Sequence, residues 1–172
     1  LIPYKRVDLA IQACNRLKLP LVVIGNGRQK EALQKMAGPT IRFTGHLSDQ
    51  EVLHYFAHCR ALLFTNEDDF GITPLEAQAS GRPVIAYGAG GALTSVVEGI
   101  TGEFFREQTV ESLAATLAAF DARNYDPQII RNHALEFDTP RFRRRVFQFI
   151  EAKMSEGKAQ QPQVLPAKDL IS

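Results

Sequence analysis

The sequence predicts an α/β fold built on a doubly wound parallel sheet, and three observations indicate this class. Short continuous apolar runs, typical of parallel strands buried on both faces, alternate with segments whose apolar residues recur at helical spacing. Glycine-containing turns follow most of these runs. The chain has 172 residues, of which 45% are hydrophobic and 23% charged, so it can bury a substantial core. A ligand site is then expected at the carboxyl ends of the strands.

In the first third of the chain, the sequence pattern predicts a helix followed by two strand–helix units. In order, the elements are a helix after Leu1–Arg6, a strand at Pro20–Gly25, a helix to about Met36, a strand at Thr40–Gly45 and a helix opened by Ser48. The first strand ends in the turn Gly25-Asn26-Gly27, and His46 and Leu47 directly follow the second. Ser48 and Glu51 have the spacing of a capping box.

A central strand–loop–helix stretch is the most informative part of the sequence. An apolar strand at Ala61–Phe64 precedes an acidic loop that contains Gly71. Thr73 is predicted to cap the following helix, with Pro74 at its first position and Glu76 completing a capping box. Free backbone N–H groups and the helix dipole then favour an anion at this helix start.

The remaining elements continue the alternation. They are a helix from the Gly88–Gly91 turn to about Glu98, a strand at Thr101–Phe105, a helix at Thr109–Phe120, a helix from Pro127 to near Glu136 and a last helix to Met154. Residues 1–154 are therefore predicted to form one domain, and the polar, proline-containing residues 155–172 a tail.

Composition and spacing disfavour several other classes. A net charge of +1 gives no reason to expect a nucleic acid partner. Cys14 and Cys59 are interpreted as buried thiols, and no apolar run is long enough to cross a bilayer. His54 and His58 lie four residues apart beside Cys59, but no third ligand follows, so exposed histidines are expected there rather than a metal site. No G-x-G-x-x-G is present, which disfavours a dinucleotide cofactor.

The central stretch resembles the signature of a known enzyme family. Asp68 and Glu76 are separated by seven residues, and Gly81-Arg82-Pro83 and Gly88–Gly91 follow in order. This set is similar to the acidic-x7-Glu signature of retaining GT-B glycosyltransferases of group 1, the glycogen-synthase-like and mannosyltransferase-like enzymes. The family more often has Glu at the position of Asp68, and commonly Glu at the position of Thr94.

The resemblance implies a Rossmann-like, donor-binding half of a two-domain enzyme, with the acceptor domain upstream of Leu1. It implies that Lys5, with an arginine upstream, grips the donor pyrophosphate, that Asp68 faces the transferred sugar and that Glu76 binds the ribose. These three residues form the implied catalytic set. The implied donor-binding set is Gly25, Asn26, Gly27, His46, Leu47, Phe70, Gly71, Ile72, Thr73 and Glu76. No metal ligand and no cofactor other than the donor are expected.

The implied reaction is retaining transfer of a hexosyl group from a nucleoside diphosphate sugar to a glycan or lipid-linked glycan. The stretch most resembles bacterial O-antigen and exopolysaccharide mannosyltransferases, with Gln78, Tyr87 and the Gly90–Leu93 run carrying the likeness, so GDP-mannose is the favoured donor. A UDP-hexose donor, a related sugar-nucleotide epimerase and a catalytically silent domain that serves as an interaction module remain alternatives. Double displacement and front-face substitution also both remain open.

The same resemblance sets expectations for partners and location. The acceptor binds through the upstream domain, no nucleic acid takes part, and we expect the chain alone to be inactive. We expect a cytoplasmic enzyme, either free or in contact with the inner face of the membrane through the upstream half.

Overall fold

A computed structural model of the chain describes residues 1–159. Contacts between Cα atoms divide it into two units, Leu1–Glu136 and a second unit that begins at Phe137.

The first unit alternates strands and helices, and this confirms the predicted α/β class. After a 3-10 turn at Pro3–Lys5, its elements are α1 Val7–Leu17, β1 Leu21–Ile24, α2 Lys30–Met36, β2 Ile41–Gly45, α3 Asp49–His58, β3 Leu62–Phe64, α4 Ile72–Ala79, β4 Val84–Tyr87, α5 Ala92–Ser95, β5 Gly102–Phe105, α6 Val110–Ala119 and α7 Pro127–Ala134.

All strand pairs are parallel, as predicted for a doubly wound sheet. The strands form two groups, β1–β2 and β3–β4–β5. In the larger group, Leu62 lies opposite Val84, and Val84 lies opposite Gly102. Because parallel strands point the same way, their carboxyl ends within each group meet at one edge, and the loops that follow them can share a site.

The helix α1 packs against the cores of both strand groups. Its residue Ile11 is fully buried in a cluster with Val23 of β1 and Leu33 of α2. Its residues Leu9 and Ala13 belong to a second cluster with strands β4 and β5 and helix α6. A third cluster, around Phe56, Phe64 and Ala77, joins α3 and α4 to the strands. Apolar residues of α1 therefore contact both strand groups.

Local sequence patterns predicted the starts of two helices correctly. The predicted capping box at Ser48 and Glu51 is present and opens α3. The helix predicted at Thr109–Phe120 is present as α6, and Thr109 caps it. Cys14 is buried, as expected, and Cys59 lies half-buried just after the end of α3. Burial raises the pKa of the Cys14 thiol to about 11, so this thiol is protonated at neutral pH.

Two predicted helices have different lengths from those expected. The helix predicted to reach Glu98 ends at Ser95, because Val96 is extended and the Val97 N–H donates to Thr101 Oγ1 at 2.8 Å instead of to the helix.

In the second unit, α8 spans Thr139–Ala159 and passes the predicted end at Met154. Residues 155–159 include the good helix formers Glu156, Lys158 and Ala159 and no proline, so the helix continues despite Gly157. The rest of the predicted tail, residues 160–172, lies outside the described residues.

Candidate functional site

The residues predicted to bind a ligand lie in the loops at the carboxyl ends of the strands. Lys5 and Asp68 come together: Lys5 Nζ lies 2.6 Å from Asp68 Oδ2. Asn66, which is buried, donates from Nδ2 to the same oxygen at 3.4 Å. Two residues that are 63 positions apart in the chain therefore form one charged pair at the end of β3.

The charges of this pair are mutually stabilised. Desolvation lowers the pKa of Lys5, but hydrogen bonding and charge attraction from Asp68 and Tyr4 outweigh it, so the pKa of Lys5 lies above its usual value. The hydrogen bond from Lys5 holds the pKa of Asp68 below its usual value. Both groups are ionised at neutral pH, and both side chains are about one third exposed, at 34% and 35%. The pair is therefore open to a ligand from the solvent side.

Two residues that the sequence analysis missed hold the Lys5 backbone in place. Thr65, buried directly after β3, donates from Oγ1 to Lys5 O at 2.9 Å. Gln108 donates from Nε2 to Thr65 O at 3.0 Å and accepts from Arg6 Nη1 at 3.1 Å. Arg6 itself has a positive φ of 49°, a conformation that costs energy outside glycine and needs such support. The position of Thr65 at a strand end is a signal that could have identified it.

The glycine turn after β4 packs directly on the acidic loop. The Gly91 N–H donates to Asp68 O at 2.7 Å. A Cβ on Gly91 would lie 2.4 Å from the Phe70 backbone, and one on Gly90 would lie 2.5 Å from Asp68 O. Only glycine permits this approach of two backbones. The predicted Gly88–Gly91 turn therefore fixes the loop that carries Asp68 and Phe70.

The predicted capping of α4 is wrong, and the conformation of Gly71 is the reason. With φ at 76° and ψ at 71°, Gly71 is left-handed and the helix begins immediately after it, at Ile72. Thr73 and Pro74 are thus the second and third helical residues, and no side chain caps the helix. Pro74 is tolerated because N–H groups in the first turn have no partner within the helix. The first turn of α4 therefore presents uncapped N–H groups beside the acidic loop.

Glu76 consequently has no capping role. It is the fifth residue of α4, one turn after Ile72 and on the same face, and it is exposed. In the described part of the chain its carboxylate makes no hydrogen bond and no ion pair. Phe70 and Ile72 are also exposed, at 48% and 67%, and frame the same region. A carboxylate without a structural task is available to a ligand.

The other half of the predicted donor site lies at the ends of β1 and β2. The Gly25 N–H donates to Gly45 O at 2.7 Å, which brings the Gly25–Gly27 turn beside the loop that starts at His46. His46 is exposed and Leu47 is half-buried. The Leu1 N–H donates to Asn26 O, so the segment Leu1–Arg6 connects this turn to the Lys5–Asp68 pair.

Other features of the described residues do not include any of the predicted site residues. The centroids of the His54 and His58 rings lie 4.2 Å apart, but within residues 1–159 no three His, Cys, Asp or Glu side chains could together hold a metal ion. A cavity of about 310 Å³ is lined by side chains of β5, α6 and the following turn, including Glu103, Phe120 and Tyr125. Burial and the hydrogen bond to Glu103 raise the pKa of Tyr125. No described helix combines the length and apolar character needed to cross a membrane.

Comparison with protein families gives a match over most of the chain. The model of the family described as glycosyl transferases group 1 matches residues 1–134. This range contains every residue that the sequence analysis assigned to the site.

Curated relatives and solved structures agree with that match. An O-antigen chain mannosyltransferase C of Escherichia coli is 33% identical over 91 residues, covering 48% of this chain and 24% of its own length. A GDP-mannose-dependent alpha-mannosyltransferase of Corynebacterium glutamicum is 33% identical over 99 residues, covering 57% and 24%. The matches thus span about a quarter of these relatives. A crystal structure of Anabaena HepE in complex with UDP superposes with a TM-score of 0.75 and 21% identity, covering 88% of this chain and 46% of that one.

Proposed function

The chain belongs to the glycosyl transferases group 1 family, and from this premise we propose that it forms the donor-binding half of a glycosyltransferase. In this proposal the full enzyme transfers a mannosyl group from GDP-mannose, with retention, to a glycan or a lipid-linked glycan. The observation that carries the proposal is the meeting of the Lys5–Asp68 pair, the Gly90–Gly91 turn and the uncapped start of α4 around one loop.

Charge on the leaving nucleoside diphosphate has to be balanced for transfer to proceed. Lys5 can supply the balancing positive charge, since its ammonium is partly exposed beside the loop that carries Asp68. The first-turn N–H groups of α4 add the positive end of the helix dipole. We propose that these groups, without a metal ion, meet the pyrophosphate. Activity that survives a chelator would support this step, and loss of activity that Mg²⁺ restores would contradict it.

Donor binding exchanges one partner of Lys5 for another. In the absence of a ligand, Lys5 pairs with Asp68 at 2.6 Å. A phosphate that approaches Lys5 competes for its N–H donors, so the Asp68 carboxylate becomes available to hydroxyl groups of the transferred sugar. Asp68 is therefore proposed to contact the sugar. No role as a nucleophile is assigned to it, because only double displacement requires one and front-face substitution is the alternative mechanism.

Glu76 is proposed to accept hydrogen bonds from the two ribose hydroxyls. A carboxylate offers two acceptor oxygens, which suits a diol. The exposure of Glu76 and its lack of a partner among the described side chains support this role. The Gly25–Gly27 turn and His46–Leu47 are proposed to border the base, because their backbones lie at the same edge.

GDP-mannose is the proposed donor because two of the similar relatives are named mannosyltransferases, one of them GDP-mannose-dependent. A UDP-hexose is the second candidate, since the HepE structure holds UDP. Both bases carry a ring N–H on the pairing edge, but guanine adds the two N2–H donors where uracil has the O2 acceptor. Backbone carbonyls near His46 or Gly25 could accept from them.

The test is sugar transfer and inhibition by the full-length protein that carries this chain. We expect release of GDP from GDP-mannose that increases with an acceptor glycan, and tighter inhibition by GDP than by UDP. Tighter inhibition by UDP would overturn the donor assignment and leave the glycosyltransferase proposal in place. No release from any GDP-sugar or UDP-sugar would contradict the proposal and favour a silent interaction domain.

A further inference from the structure

A second lysine ammonium lies at the edge that we propose to border the nucleotide base. Lys30 is the first residue of α2, and its Nζ donates at 2.9 Å to Asn26 Oδ1 in the Gly25–Gly27 turn. A Cβ on Gly45, the last residue of β2, would lie 3.9 Å from Lys30 Nζ and 3.6 Å from Asn26 Oδ1. The ammonium therefore lies beside the end of β2, where the chain enters the loop that starts at His46.

The contacts of Lys30 do not explain why a cation stands at this position. The helix dipole disfavours a positive charge in the first turn of a helix, so the charge of Lys30 does not stabilise α2. An ammonium has three N–H donors, and the bond to Asn26 uses one of them. Within residues 1–159 Lys30 forms no ion pair, whereas Lys5 is paired with Asp68. Lys30 can therefore donate to a ligand without first releasing a carboxylate.

The position of Lys30 determines which part of a nucleotide it can meet. In the proposed site, the pyrophosphate lies near Lys5 and the start of α4, after β3, whereas the base lies at the ends of β1 and β2. Lys30 belongs to the second group, because Asn26 lies in the turn after β1 and Gly45 ends β2. We therefore expect its ammonium to meet the base and not the phosphates.

Guanine is the base whose acceptors suit an ammonium at this place. Its O6 and N7 atoms are neighbouring acceptors on one edge, and a lysine or arginine that donates to them is the commonest specific contact between proteins and DNA bases. Adenine keeps N7 but has an N6 amino group, which is a donor, in place of O6. Uracil has the O4 acceptor but only a C–H group beside it. Two neighbouring acceptors therefore distinguish guanine from both.

We propose that Lys30 is a specificity-determining residue of the donor site and that its ammonium donates to O6 and N7 of guanine. The inference rests on the proposed function of this edge as a nucleotide-sugar site. Two N–H donors of Lys30 remain beside the bond to Asn26, and they match the two acceptors. Asn26 is then a positioning residue, because its Oδ1 holds the ammonium beside Gly45.

The experiment compares Lys30→Met with Lys35→Met in the 172-residue chain. Methionine keeps an unbranched side chain and removes the ammonium. Lys35 is an exposed lysine in the last turn of the same helix, so its replacement makes the same change of charge away from the Gly25–Gly27 turn. Equal urea midpoints for the two variants show that the fold is intact in both.

The Kd of each variant is measured by NMR titration for GDP, inosine diphosphate (IDP), ADP and UDP. IDP lacks the N2 amino group of guanine but keeps O6 and N7, so it isolates the edge assigned to Lys30. We expect Lys30→Met to bind GDP and IDP at least about fivefold more weakly than Lys35→Met does. Both variants should bind ADP equally, and UDP, with a single acceptor, should lose less affinity than GDP.

The panel of nucleotides separates a contact to the base from a contact to the rest of the ligand. An equal loss for all four nucleotides would overturn the inference, since it would place Lys30 at the ribose or the phosphates, which all four share. Equal affinity of the two variants for GDP would also overturn it and would leave the donor site in place. If neither variant nor the unchanged chain binds any of the four, the donor-site proposal is contradicted and this inference with it.

Discussion

Replacement of Glu76 by glutamine separates a ligand-binding role from a structural one. The amide keeps the size of the side chain but removes its charge. Glu76 is exposed in the body of α4, its helix has no side-chain cap, and its carboxylate has no partner among residues 1–159. Surface substitutions of this kind change the free energy of unfolding by no more than about 0.5 kcal/mol. The fold should therefore tolerate the change.

Nucleotide binding should respond much more strongly. A hydrogen bond to a charged group contributes about 1.5–3 kcal/mol and a neutral one about 0.5–1.5 kcal/mol. Glutamine retains one neutral acceptor, so a loss of about 1–2 kcal/mol is expected, which weakens GDP binding by about 5- to 30-fold. NMR titration with GDP measures the change in Kd, and urea unfolding measures the change in stability.

A matched control is available in the second unit. Glu151 is also an exposed glutamate within a helix, so Glu151→Gln makes the same chemical change far along the chain from the site residues. Its Kd for GDP should equal that of the unchanged chain. Equal affinity for GDP in the Glu76→Gln and Glu151→Gln variants would refute the ribose-binding role of Glu76.

Three further predictions concern the architecture around the site. Gly91→Ala places a methyl group 2.4 Å from the Phe70 backbone, so the free energy of unfolding in urea should fall by about 1–3 kcal/mol and GDP should bind more weakly. A variant with unchanged stability and affinity would contradict the close packing of the two loops. Asp68→Asn should lose about 0.2–1 kcal/mol at pH 6 and progressively less as the pH falls below the usual aspartate pKa of about 4. The reason is that the lowered pKa of Asp68 makes its pairing with Lys5 a stabilising contribution above that pH, which is lost as the pH falls through the lowered value. A loss that does not shrink on acidification would exclude the ion pair as the cause. Gln108→Ala removes two hydrogen bonds, so it should lower the free energy of unfolding by about 1–2 kcal/mol and weaken GDP binding. Unchanged GDP affinity would show that Gln108 does not position Lys5.

Sequence reasoning succeeded where a signal is complete within a few residues. The capping box formed by Ser48 and Glu51 predicts the start of α3, because both of its hydrogen bonds join these two residues and need no distant partner. The equivalent spacing of Thr73 and Glu76 failed, because Gly71 can adopt a left-handed conformation that starts α4 earlier. The spacing alone cannot distinguish these cases, because it does not show which backbone conformation the preceding glycine adopts.

Long-range features of the site could not be predicted from the sequence. The sequence analysis identifies Lys5 and Asp68 as site residues, but no feature of the sequence indicates that two residues so far apart form an ion pair. Gln108 contacts Thr65 across 43 positions and stands in the sequence as an ordinary polar residue before a helix cap. The division of the described strands into β1–β2 and β3–β4–β5 likewise depends on which strands pair, and strand order is not encoded in any one segment.

The most direct test of the proposed donor site is a map of where GDP binds to the chain. Backbone NMR signals are followed as GDP is added to the 172-residue chain, which we expect to bind it weakly and to transfer no sugar by itself. The account predicts that the largest shifts occur at Lys5, Gly71, Ile72 and Glu76, with smaller ones at the Gly25–Gly27 turn. Shifts concentrated around the cavity at Phe120 and Tyr125, or none at millimolar GDP, would contradict it.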